Sequence, residues 1–381
     1  MKICLLSSMH SANDKRVFEK EAVHLARAGY DVVHLCPGDT EGVLCERGVT
    51  TITYPRARGI SGRLFQLGRL YRRAARIDAD AYHCNEVDSW FVGVLLAIAR
   101  GKKCIFDVHE HYPSTFADKR FPRWMHPAAA RAVRAAFWVL VRFTDRVVLA
   151  KDSVAPDFPV AAEHRIVVKN YASLDAIRFA TPDAGNREFG AGTVVHLGLF
   201  SKHRGWPQVL DAMAAMRHAD TRLKVIGQIN DGTGDEFRQR VRALGLSERV
   251  EFFEWMPFRD AFSHLVAAHV GLIAFQPGIL NHVYAMPHKM FDYMAAGMAV
   301  ICPAFAVEIA PIVEECGAGV LIDPTCPQDI AEKLDRLFDD RAALLEMGQR
   351  GRKAVEEKYN WDAEMEKLLR MYATLERRAA H

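Results

Sequence analysis

The chain has 381 residues, which at about 100 to 200 residues per domain indicates two domains and excludes a single small binding module. Hydrophobic residues make up 50% of the chain and charged residues 25%, as in an ordinary folded protein, so disorder of the whole chain is excluded. The formal net charge of +3 by itself indicates neither a nucleic-acid partner nor a membrane surface.

The N-terminus and the cysteines indicate a cytoplasmic protein. No apolar run approaches the roughly 18 residues that a membrane span requires. Residues 1–8 contain one Lys and a short apolar run without a small-residue cleavage site, which predicts a first strand and not a signal peptide. The eight cysteines form no CxxC pair and several lie in apolar runs, which favours reduced, buried thiols over a metal-binding or disulfide role.

Short apolar runs rich in β-branched residues alternate with longer helical patterns along the whole chain. This alternation predicts parallel sheets with helices on both faces. In the N-terminal half, strands are predicted near residues 1–7, 31–36, 49–54, 80–84, 103–108 and 145–149. Helices are predicted there near residues 17–28, 61–76, 87–99 and 126–142.

A second series of elements follows a stretch rich in Pro, Gly and polar residues at 181–186. Such a stretch predicts a domain boundary, which we place between a first domain, 1–182, and a second, 183–360. Strands of the second series are predicted near residues 193–198, 222–227, 249–253, 270–275, 299–302 and 319–322.

The last predicted element is a helix within 361–381 whose apolar residues recur on one side. We expect this helix to cross back to the first domain and to pack across both. The expected fold class is α/β, with two Rossmann-like doubly wound domains facing a cleft. Because open parallel sheets bind ligands outside the carboxyl ends of their strands, each domain is expected to supply half of a site.

The first βα loop, residues 7–16, contains no glycine and is therefore not a dinucleotide fingerprint. The absence of this fingerprint argues against an NAD site in this domain and against a nicotinamide oxidoreductase. Polar side chains such as Asn13 and Asp14 suit a hydroxyl-rich or anionic substrate, and helix capping is the alternative role for either residue.

Clustered ionisable residues follow a strand of the same domain at 106–113. A cluster at a strand end is typical of a ligand site in a doubly wound domain. We expect His109 to form a hydrogen bond in the cleft, with loop capping as the alternative. His109 and His111 lack a third ligand at metal-binding spacing, so no metal site is expected.

The loop at 198–205 joins a strand to a helix in the second domain and contains Gly198, Lys202 and Arg204. Free backbone N–H groups at a helix N-terminus act together with nearby cations on the same anion. The loop therefore predicts a phosphate site, and a solvated basic loop is the alternative.

A further segment of the second domain, 285–301, combines a helix start with two charges. Pro287 can open a helix, and Lys289 and Asp292 lie three residues apart on one face of it. A cation for phosphate and a carboxylate for ribose hydroxyls fit this geometry. A surface ion pair would fit the same pattern.

These segments together resemble the retaining family-4 glycosyltransferases of the GT-B fold, in the subgroup that builds bacterial surface polysaccharides. The resemblance spans nearly the whole chain and rests on residues 13–22, 28–32, 107–113, 198–205, 287–297 and 359–361. It implies transfer of a sugar from a nucleoside-diphosphate sugar, with UDP favoured over GDP, to a saccharide or lipid-linked saccharide. The acceptor would bind the first domain and the donor the second.

The resemblance also implies roles for individual residues. Arg204 and Lys289 would neutralise the donor diphosphate, and Asp292 would hold the ribose. His109 would contact the transferred sugar or stabilise the reacting centre. No metal or other cofactor is expected, because basic side chains and helix N-termini act on the leaving diphosphate. The other expected contacts are Gly198, Lys202 and Met256 for the donor, and Asn13, Asp14, Arg16, Glu86 and Glu110 for the acceptor.

Two departures from the family pattern leave other functions open. The family's usual pair of glutamates, separated by seven residues, is Tyr284 and Asp292 in this chain. Leu199 follows the loop glycine where many members have Arg. One alternative is therefore a catalytically silent subunit that binds a nucleotide sugar, and another is a nucleotide-sugar epimerase of the same fold.

The net charge of +3 conceals a basic excess in residues 1–180 and an acidic excess in the remainder. Seven arginines and no acidic residue fall between Arg56 and Arg76, together with the apolar residues Leu64, Phe65, Leu67, Leu70 and Tyr71. This combination predicts peripheral contact with the anionic inner face of the plasma membrane, where a lipid-linked acceptor would lie. A solvated helix face is the alternative, and no nucleic-acid partner is expected.

Overall fold

The computed structural model describes residues 1–57, 59–120, 122–179 and 190–379. Contacts divide the chain into two compact units, Met1–Lys169 with Ala363–His381, and Asn170–Asp362. The expected boundary at 182–183 lies outside the described residues. The division falls earlier because the amide of Asn170 donates to the carbonyl of Met286 at 3.2 Å, and the ring of Tyr171 packs against Phe291.

The first unit contains an eight-stranded sheet in the order β3-β4-β2-β1-β5-β6-β7-β8. Its strands are β1 (Lys2–Leu6), β2 (Asp31–Gly38), β3 (Gly42–Glu46), β4 (Val49–Pro55), β5 (Ala81–Cys84), β6 (Lys103–Val108), β7 (Arg146–Leu149) and β8 (Arg165–Val167). All neighbours are parallel except β3 and β4, which form an antiparallel edge. Cys4 of the central β1 lies opposite Val33 on one side and Tyr82 on the other.

Helices of the first unit pack against this sheet. They are a π-helical segment Lys15–Ala22, α1 (Val23–Arg27), α2 (Gly59–Ile77), α3 (Val87–Arg100), α4 (Tyr112–Arg120) and α5 (His126–Leu140), with 3-10 turns at Arg123–Met125, Val141–Phe143, Asp152–Asp157 and Ala162–His164. In the core, Trp90 of α3 stacks on Phe106 of β6 with ring centres 4.0 Å apart. Its buried indole N–H donates to Thr144 Oγ1 at 2.8 Å, which supplies the partner that a buried indole requires.

The second unit contains a six-stranded, fully parallel sheet in the order β11-β10-β9-β12-β13-β14. Its strands are β9 (Thr193–Leu197), β10 (Arg222–Ile226), β11 (Val250–Phe253), β12 (Val270–Leu272), β13 (Ala299–Pro303) and β14 (Gly319–Ile322). Its helices are α6 (Leu174–Phe179), α7 (Trp206–Ala215), α8 (Gly234–Ala243), α9 (Phe258–Val266), α10 (Leu280–Val283), α11 (His288–Ala295), α12 (Ala310–Cys316), α13 (Pro327–Asp339) and α14 (Arg341–Glu357), with a 3-10 turn at Lys202–Arg204.

In both sheets the strand order reverses beside the first strand of the unit. The reversal lies between β1 and β5 in the first unit and between β9 and β12 in the second. The crevice outside the carboxyl ends at such a reversal is where doubly wound sheets bind ligands. The segments that follow β1, β5, β9 and β12 are therefore the expected positions of a ligand site.

The C-terminal helix, α15 (Trp361–Ala379), returns the chain to the first unit. Glu364 accepts a hydrogen bond from the backbone N–H of Lys169 at 2.8 Å. Further along the helix, the buried Tyr372 hydroxyl lies 2.7 Å from Nδ1 of His83 in β5. Packing of this helix against the second unit stays a prediction.

The expected class, α/β with two doubly wound parallel sheets, is confirmed, and each strand predicted above is present. The sequence pattern misses β3, β8 and α4. Every residue of β3 is exposed and β8 has only three residues, so neither carries a buried apolar run. The segment of α4 lacks apolar residues recurring on one side.

The arginine-rich segment forms α2, with its charges separated from its apolar residues. Arg69, Arg72, Arg73 and Arg76 lie on one face and line a cavity of about 630 Å³. Leu67, Leu70 and Tyr71 pack into the core instead, while Phe65 stays exposed. Arg58 and the side chains of Arg63 and Leu64 lie outside the described residues. None of the helices in the described part of the chain combines the length and apolar character needed to span a bilayer.

Candidate active site

At the carboxyl edge of the second sheet, glycines let backbone segments approach closely. Gly198, directly after β9, has φ +93°, and a Cβ on Gly227 would lie only 2.1 Å from the carbonyl oxygen of Gly198. Gly205 has φ +83° at the start of α7, where a Cβ would lie 2.3 Å from the carbonyl oxygen of Ala274. Since neither Gly227 nor Gly205 could carry a side chain, the loop at 198–205 packs closely against the ends of β9, β10 and β12.

Two cations meet at this edge against one aromatic ring. Nζ of Lys289 lies 5.8 Å and Cζ of Arg204 lies 5.4 Å from the centre of the Phe275 ring. Burial, together with the charge of Arg204, lowers the pKa of Lys289 well below its usual value, although Asp292 opposes this. A buried amine beside a second cation is stabilised in its charged form by an anion. The pair is therefore suited to a ligand with several negative charges.

A buried imidazole completes the surroundings of Lys289. Nε2 of His196 lies 3.2 Å from Nζ of Lys289 and 2.9 Å from the carbonyl oxygen of Leu199. Its ring stacks on Phe200 with ring centres 4.1 Å apart. Burial, with the neighbouring Lys289, lowers the pKa of His196 well below its usual value, so this imidazole is neutral.

The other donor-site candidates occupy different positions. Asp292 is buried on α11, one turn after Lys289, and Met256 is half-buried against the core that contains this helix. Lys202 is not brought to the cation pair, because its ammonium pairs with Glu236 at 2.6 Å and is largely exposed. Tyr284 ends the short helix α10.

In the first unit, Glu86 follows β5 and organises the loop that follows β1. Its carboxylate accepts hydrogen bonds from the backbone N–H groups of Ser8, Met9 and His10 at 2.8 to 2.9 Å. It also accepts from the hydroxyl of Ser89, with which it caps α3. These oxygens fix the loop within the unit, and the contact of Glu86 with an acceptor stays a prediction.

Arg16 belongs to a buried cluster beneath this edge. Its guanidinium contacts both carboxylate oxygens of Asp107, at 3.0 and 3.1 Å, and donates to the carbonyl of Val168 at 2.9 Å. Burial alone would raise the pKa of Asp107, but Arg16 holds it well below its usual range. Burial raises the pKa of neighbouring Glu21 well above its usual value, with a further contribution from Asp107. Arg16, predicted to bind the acceptor, is thus 2% exposed and engaged within the unit.

Two neighbouring histidines near this cluster have pKa values shifted in opposite directions. The rings of His10 and His109 are 5.1 Å apart. Burial lowers the pKa of His109 to about 3, so it is neutral although Asp107 lies 3.6 Å away. Burial would also lower the pKa of His10, but its 2.8 Å hydrogen bond to Asp14 raises it to about 9. His109 therefore offers a neutral imidazole and His10 an imidazolium.

The remaining acceptor candidates are near this edge of the sheet. Asp14 caps the π-helical segment through two backbone N–H groups, as the helix-capping alternative predicts. Asn13 is exposed, and the exposed Glu110 accepts from the Thr115 hydroxyl at 3.3 Å.

The described residues contain one group of three side chains compact enough for a metal ion, Glu21, His83 and Asp107. The guanidinium of Arg16 already lies 3.0 Å from an oxygen of each carboxylate. This arginine is the cation that balances the cluster.

Sequence reasoning missed His196, Phe275 and His10. His196 and Phe275 sit in or just after apolar strands, where they are indistinguishable from core residues. The signal for His10 was its place in the first βα loop, four residues before the Asp14 that holds it.

The chain has two doubly wound domains in tandem, and the second has a cation pair beside its strand reversal. This combination is typical of the GT-B glycosyltransferases. Residues 15–158 match the model of Glycosyltransferase Family 4, and residues 183–354 match that of Glycosyl transferases group 1. The chain belongs to the family-4 glycosyltransferases of the GT-B fold, and it is a glycosyltransferase. No curated protein sequence matches it at a significant level.

Solved structures share the fold over nearly the whole chain. Sucrose-phosphate synthase from Thermosynechococcus elongatus is 18% identical with a TM-score of 0.77, covering 100% of both chains. HepE from Anabaena, in complex with UDP-glucose, is 16% identical with a TM-score of 0.72, covering 98% of this chain and 100% of its own. WaaG, a glycosyltransferase involved in lipopolysaccharide biosynthesis, is 16% identical with a TM-score of 0.70, covering 96% and 98%.

Proposed function

We propose that the protein transfers a sugar from a nucleoside-diphosphate sugar, with UDP as the nucleotide, to a saccharide or lipid-linked saccharide of a bacterial polysaccharide. The observation that carries this proposal is the meeting of Arg204 and Lys289 at the Phe275 ring. A diphosphate is the ligand whose charge fits two cations, one of them buried.

The proposed step breaks the bond between the anomeric carbon and the diphosphate. Negative charge then develops on the leaving oxygen, and Arg204 and Lys289 stabilise it without a metal ion. Asp292 holds the ribose. The acceptor hydroxyl attacks from the face that the diphosphate leaves, gives its proton to the departing diphosphate oxygen, and forms the new bond with retention of configuration. His109, being neutral, is proposed to form a hydrogen bond to the transferred sugar without adding charge near the reacting carbon.

Two structural relatives support the choice of donor and pathway. HepE was solved with UDP-glucose, and WaaG acts in lipopolysaccharide biosynthesis. By analogy we propose a cytoplasmic enzyme that contacts the inner face of the plasma membrane, where a lipid-linked acceptor is held. The arginines of α2, a cluster of cations of the kind that anionic lipid attracts, support this placement.

The test is a comparison of UDP, GDP and ADP, and of their sugars, by thermal shift, followed by a transfer assay. A ligand that binds only the folded protein raises its melting temperature, and UDP should do so most strongly. The product should keep the donor's anomeric configuration by NMR, and a chelator should not slow its formation. Donor binding without transfer to any saccharide would favour the silent subunit, and an epimerised sugar formed without acceptor would favour the epimerase.

A further inference from the structure

Helix α3 is apolar on every side although one side faces outward. Trp90, Val94 and Leu96 are buried in the core of the first unit. Phe91, Leu95 and Ile98 recur at helical spacing on the opposite side and are exposed, Ile98 to 58%. Because a helix that is apolar all round is normally buried all round, this outer side is expected to be covered.

Helix α5 and the turns at its two ends carry a second set of exposed apolar residues. Trp90 of α3 packs edge-on against Phe137 of α5 with ring centres 5.3 Å apart, which ties the two helices together. From α5 and the turn after it, Trp138, Val139 and Phe143 are exposed, and Trp124, just before α5, is 80% exposed. We call Phe91, Leu95, Ile98, Trp138, Val139, Phe143 and Trp124 the apolar face.

Cations surround the apolar face. Cζ of Arg142 lies 3.2 Å from the centre of the Trp138 ring, and the exposed Arg100 ends α3. Helix α5 adds Arg131 and contains no acidic residue, while its Arg134 pairs with Asp157 at 2.7 Å. Exposed tryptophans beside arginines and aliphatic side chains are the composition of segments that lie at a membrane interface.

We propose that the apolar face seats on an anionic lipid bilayer, with Trp124 and Trp138 at the level of the lipid headgroups. This inference rests on the proposed membrane contact and locates it on α3 and α5. Helix α2, by contrast, turns Leu67 and Leu70 into the core and lines a cavity with its arginines. Its arginines add long-range attraction, while the apolar face supplies the area that enters the bilayer.

A second copy of this chain is a poorer occupant than a bilayer. A two-fold contact would place the same patch of both copies together. The basic side chains Arg100, Arg131 and Arg142 would then be brought together from both copies, and like charges across an interface oppose association. An anionic bilayer brings the complementary charge.

The tryptophans themselves report the contact. Trp124 and Trp138 are exposed on the apolar face, Trp255 is exposed in the second unit, and Trp90, Trp206 and Trp361 are buried. The full chain is mixed with phosphatidylglycerol vesicles whose acyl chains carry bromine, which quenches nearby indoles. We expect a blue shift and strong quenching, unchanged in Trp255→Phe and largely lost when Trp124→Phe and Trp138→Phe are combined.

A second measurement tests the apolar residues without removing a reporter. Phe91→Ser, Leu95→Ser and Ile98→Ser are combined and should weaken vesicle binding by about tenfold or more, since each removes buried apolar area. Val43→Ser with Leu44→Ser, similarly exposed on β3, is the matched control and should bind as the wild type does. Both variants should stay folded and keep the increase of their melting temperature with UDP, although three Ser residues in α3 lower the melting temperature itself.

Several outcomes would overturn the assignment of the apolar face. They can be distinguished from the result that the protein does not contact a membrane. If binding survives the triple substitution but is lost in Arg72→Ala with Arg76→Ala, α2 is the contact and the apolar face is not. Equal binding to phosphatidylcholine would overturn the choice of an anionic bilayer. A wild-type dimer abolished by the triple substitution would make a second copy the occupant. If the wild type binds no vesicle, the proposed membrane contact fails as well, while sugar transfer is measured separately.

Discussion

At the scale of single residues, the most informative group is the amine of Lys289. Its surroundings, a neutral imidazole, an aromatic ring and the guanidinium of Arg204, leave its positive charge poorly solvated. The unliganded protein therefore holds this amine with a pKa well below the usual value. A bound diphosphate supplies the missing opposite charge and raises that pKa again.

Binding of UDP should therefore take up a proton over the pH range between the two pKa values of Lys289. Calorimetry in buffers of different ionisation enthalpy measures this uptake directly. We expect it to be lost in Lys289→Met, which has no titrating group. UDP binding without proton uptake at any pH would show that the amine is already charged in the free protein.

Arg204 is predicted to act mainly in the transition state. Arg204→Ala should lower kcat by about 10²-fold or more, as loss of a donor to a developing anion commonly does. Arg238→Ala, which removes an exposed arginine paired with Asp235 on α8, is the matched control. Near-normal turnover in the Arg204 variant would remove this residue from the reaction.

His10 and Asp14 give stability a predictable pH dependence. The pKa of His10 is raised from 6.5 to about 9, so its contribution is full below pH 6.5 and is lost as the pH rises through about 9. The pKa of Asp14 is lowered, so its contribution disappears as the pH falls below the ordinary range of a carboxylate. His10→Asn should therefore destabilise the protein at pH 6.5 and cost progressively less toward pH 9, measured by urea unfolding. A difference independent of pH would contradict the assignment.

Sequence alone predicted the residues whose chemistry shows in local spacing. Lys289 and Asp292 share a helix face, and Arg204 lies in a loop between a strand and a helix, so each could be assigned a donor role. His196 and Phe275 could not, because only the fold brings them to Lys289. The role of Arg16 was also hidden, since its partner Asp107, in β6, is distant in sequence and only the fold brings the two together.

At the scale of elements, a carboxylate at the start of α3 holds the loop after β1. Glu86 accepts three backbone hydrogen bonds from that loop and caps its own helix. Its position after β5 places it opposite the end of β1, because these strands are neighbours in the sheet. The geometry of the first βα loop thus depends on the side chain of Glu86, which follows the neighbouring strand β5.

Glu86→Ala should remove the carboxylate that accepts from the part-buried N–H groups of Ser8, Met9 and His10, and should destabilise the protein by about 1 to 3 kcal/mol. Hydrogen exchange of these three amides should accelerate most. Glu110→Ala, at an exposed position of the same edge, is the control and should change neither measurement. If exchange at these amides stays slow, another group holds the loop.

The sequence predicted the strands whose residues are buried and missed elements whose residues are exposed or not one-sided. Strands of the two parallel sheets are covered on both faces and therefore appear in the sequence as short apolar runs. The edge strand β3 and the helix α4 lack such a signal, and both were missed. For α2 the helix was predicted, but the side on which its apolar residues lie was not, because a basic amphipathic helix has the same composition whether it packs on a core or a membrane.

At the scale of the molecule, the chain leaves the first unit after Lys169 and returns to it at Ala363. The first unit is therefore completed by α15, which follows the second unit in the chain. Tyr372 of α15 is buried and hydrogen-bonded to His83, and its pKa is raised well above the usual value by burial and by the nearby Glu21. The C-terminal helix thus closes over the buried ionisable cluster of Arg16 and Asp107.

Tyr372→Ala should for this reason act on the first unit and spare the proposed donor site of the second. Loss of a buried aromatic side chain costs about 3 to 5 kcal/mol, and the nitrogen of His83 loses its partner. We expect earlier unfolding in urea, followed by tryptophan fluorescence, with an unchanged Kd for UDP measured without denaturant. Arg370→Ala, exposed on the same helix, is the control and should alter neither. A variant that loses UDP affinity in proportion to its stability would show that the donor site depends on the first unit.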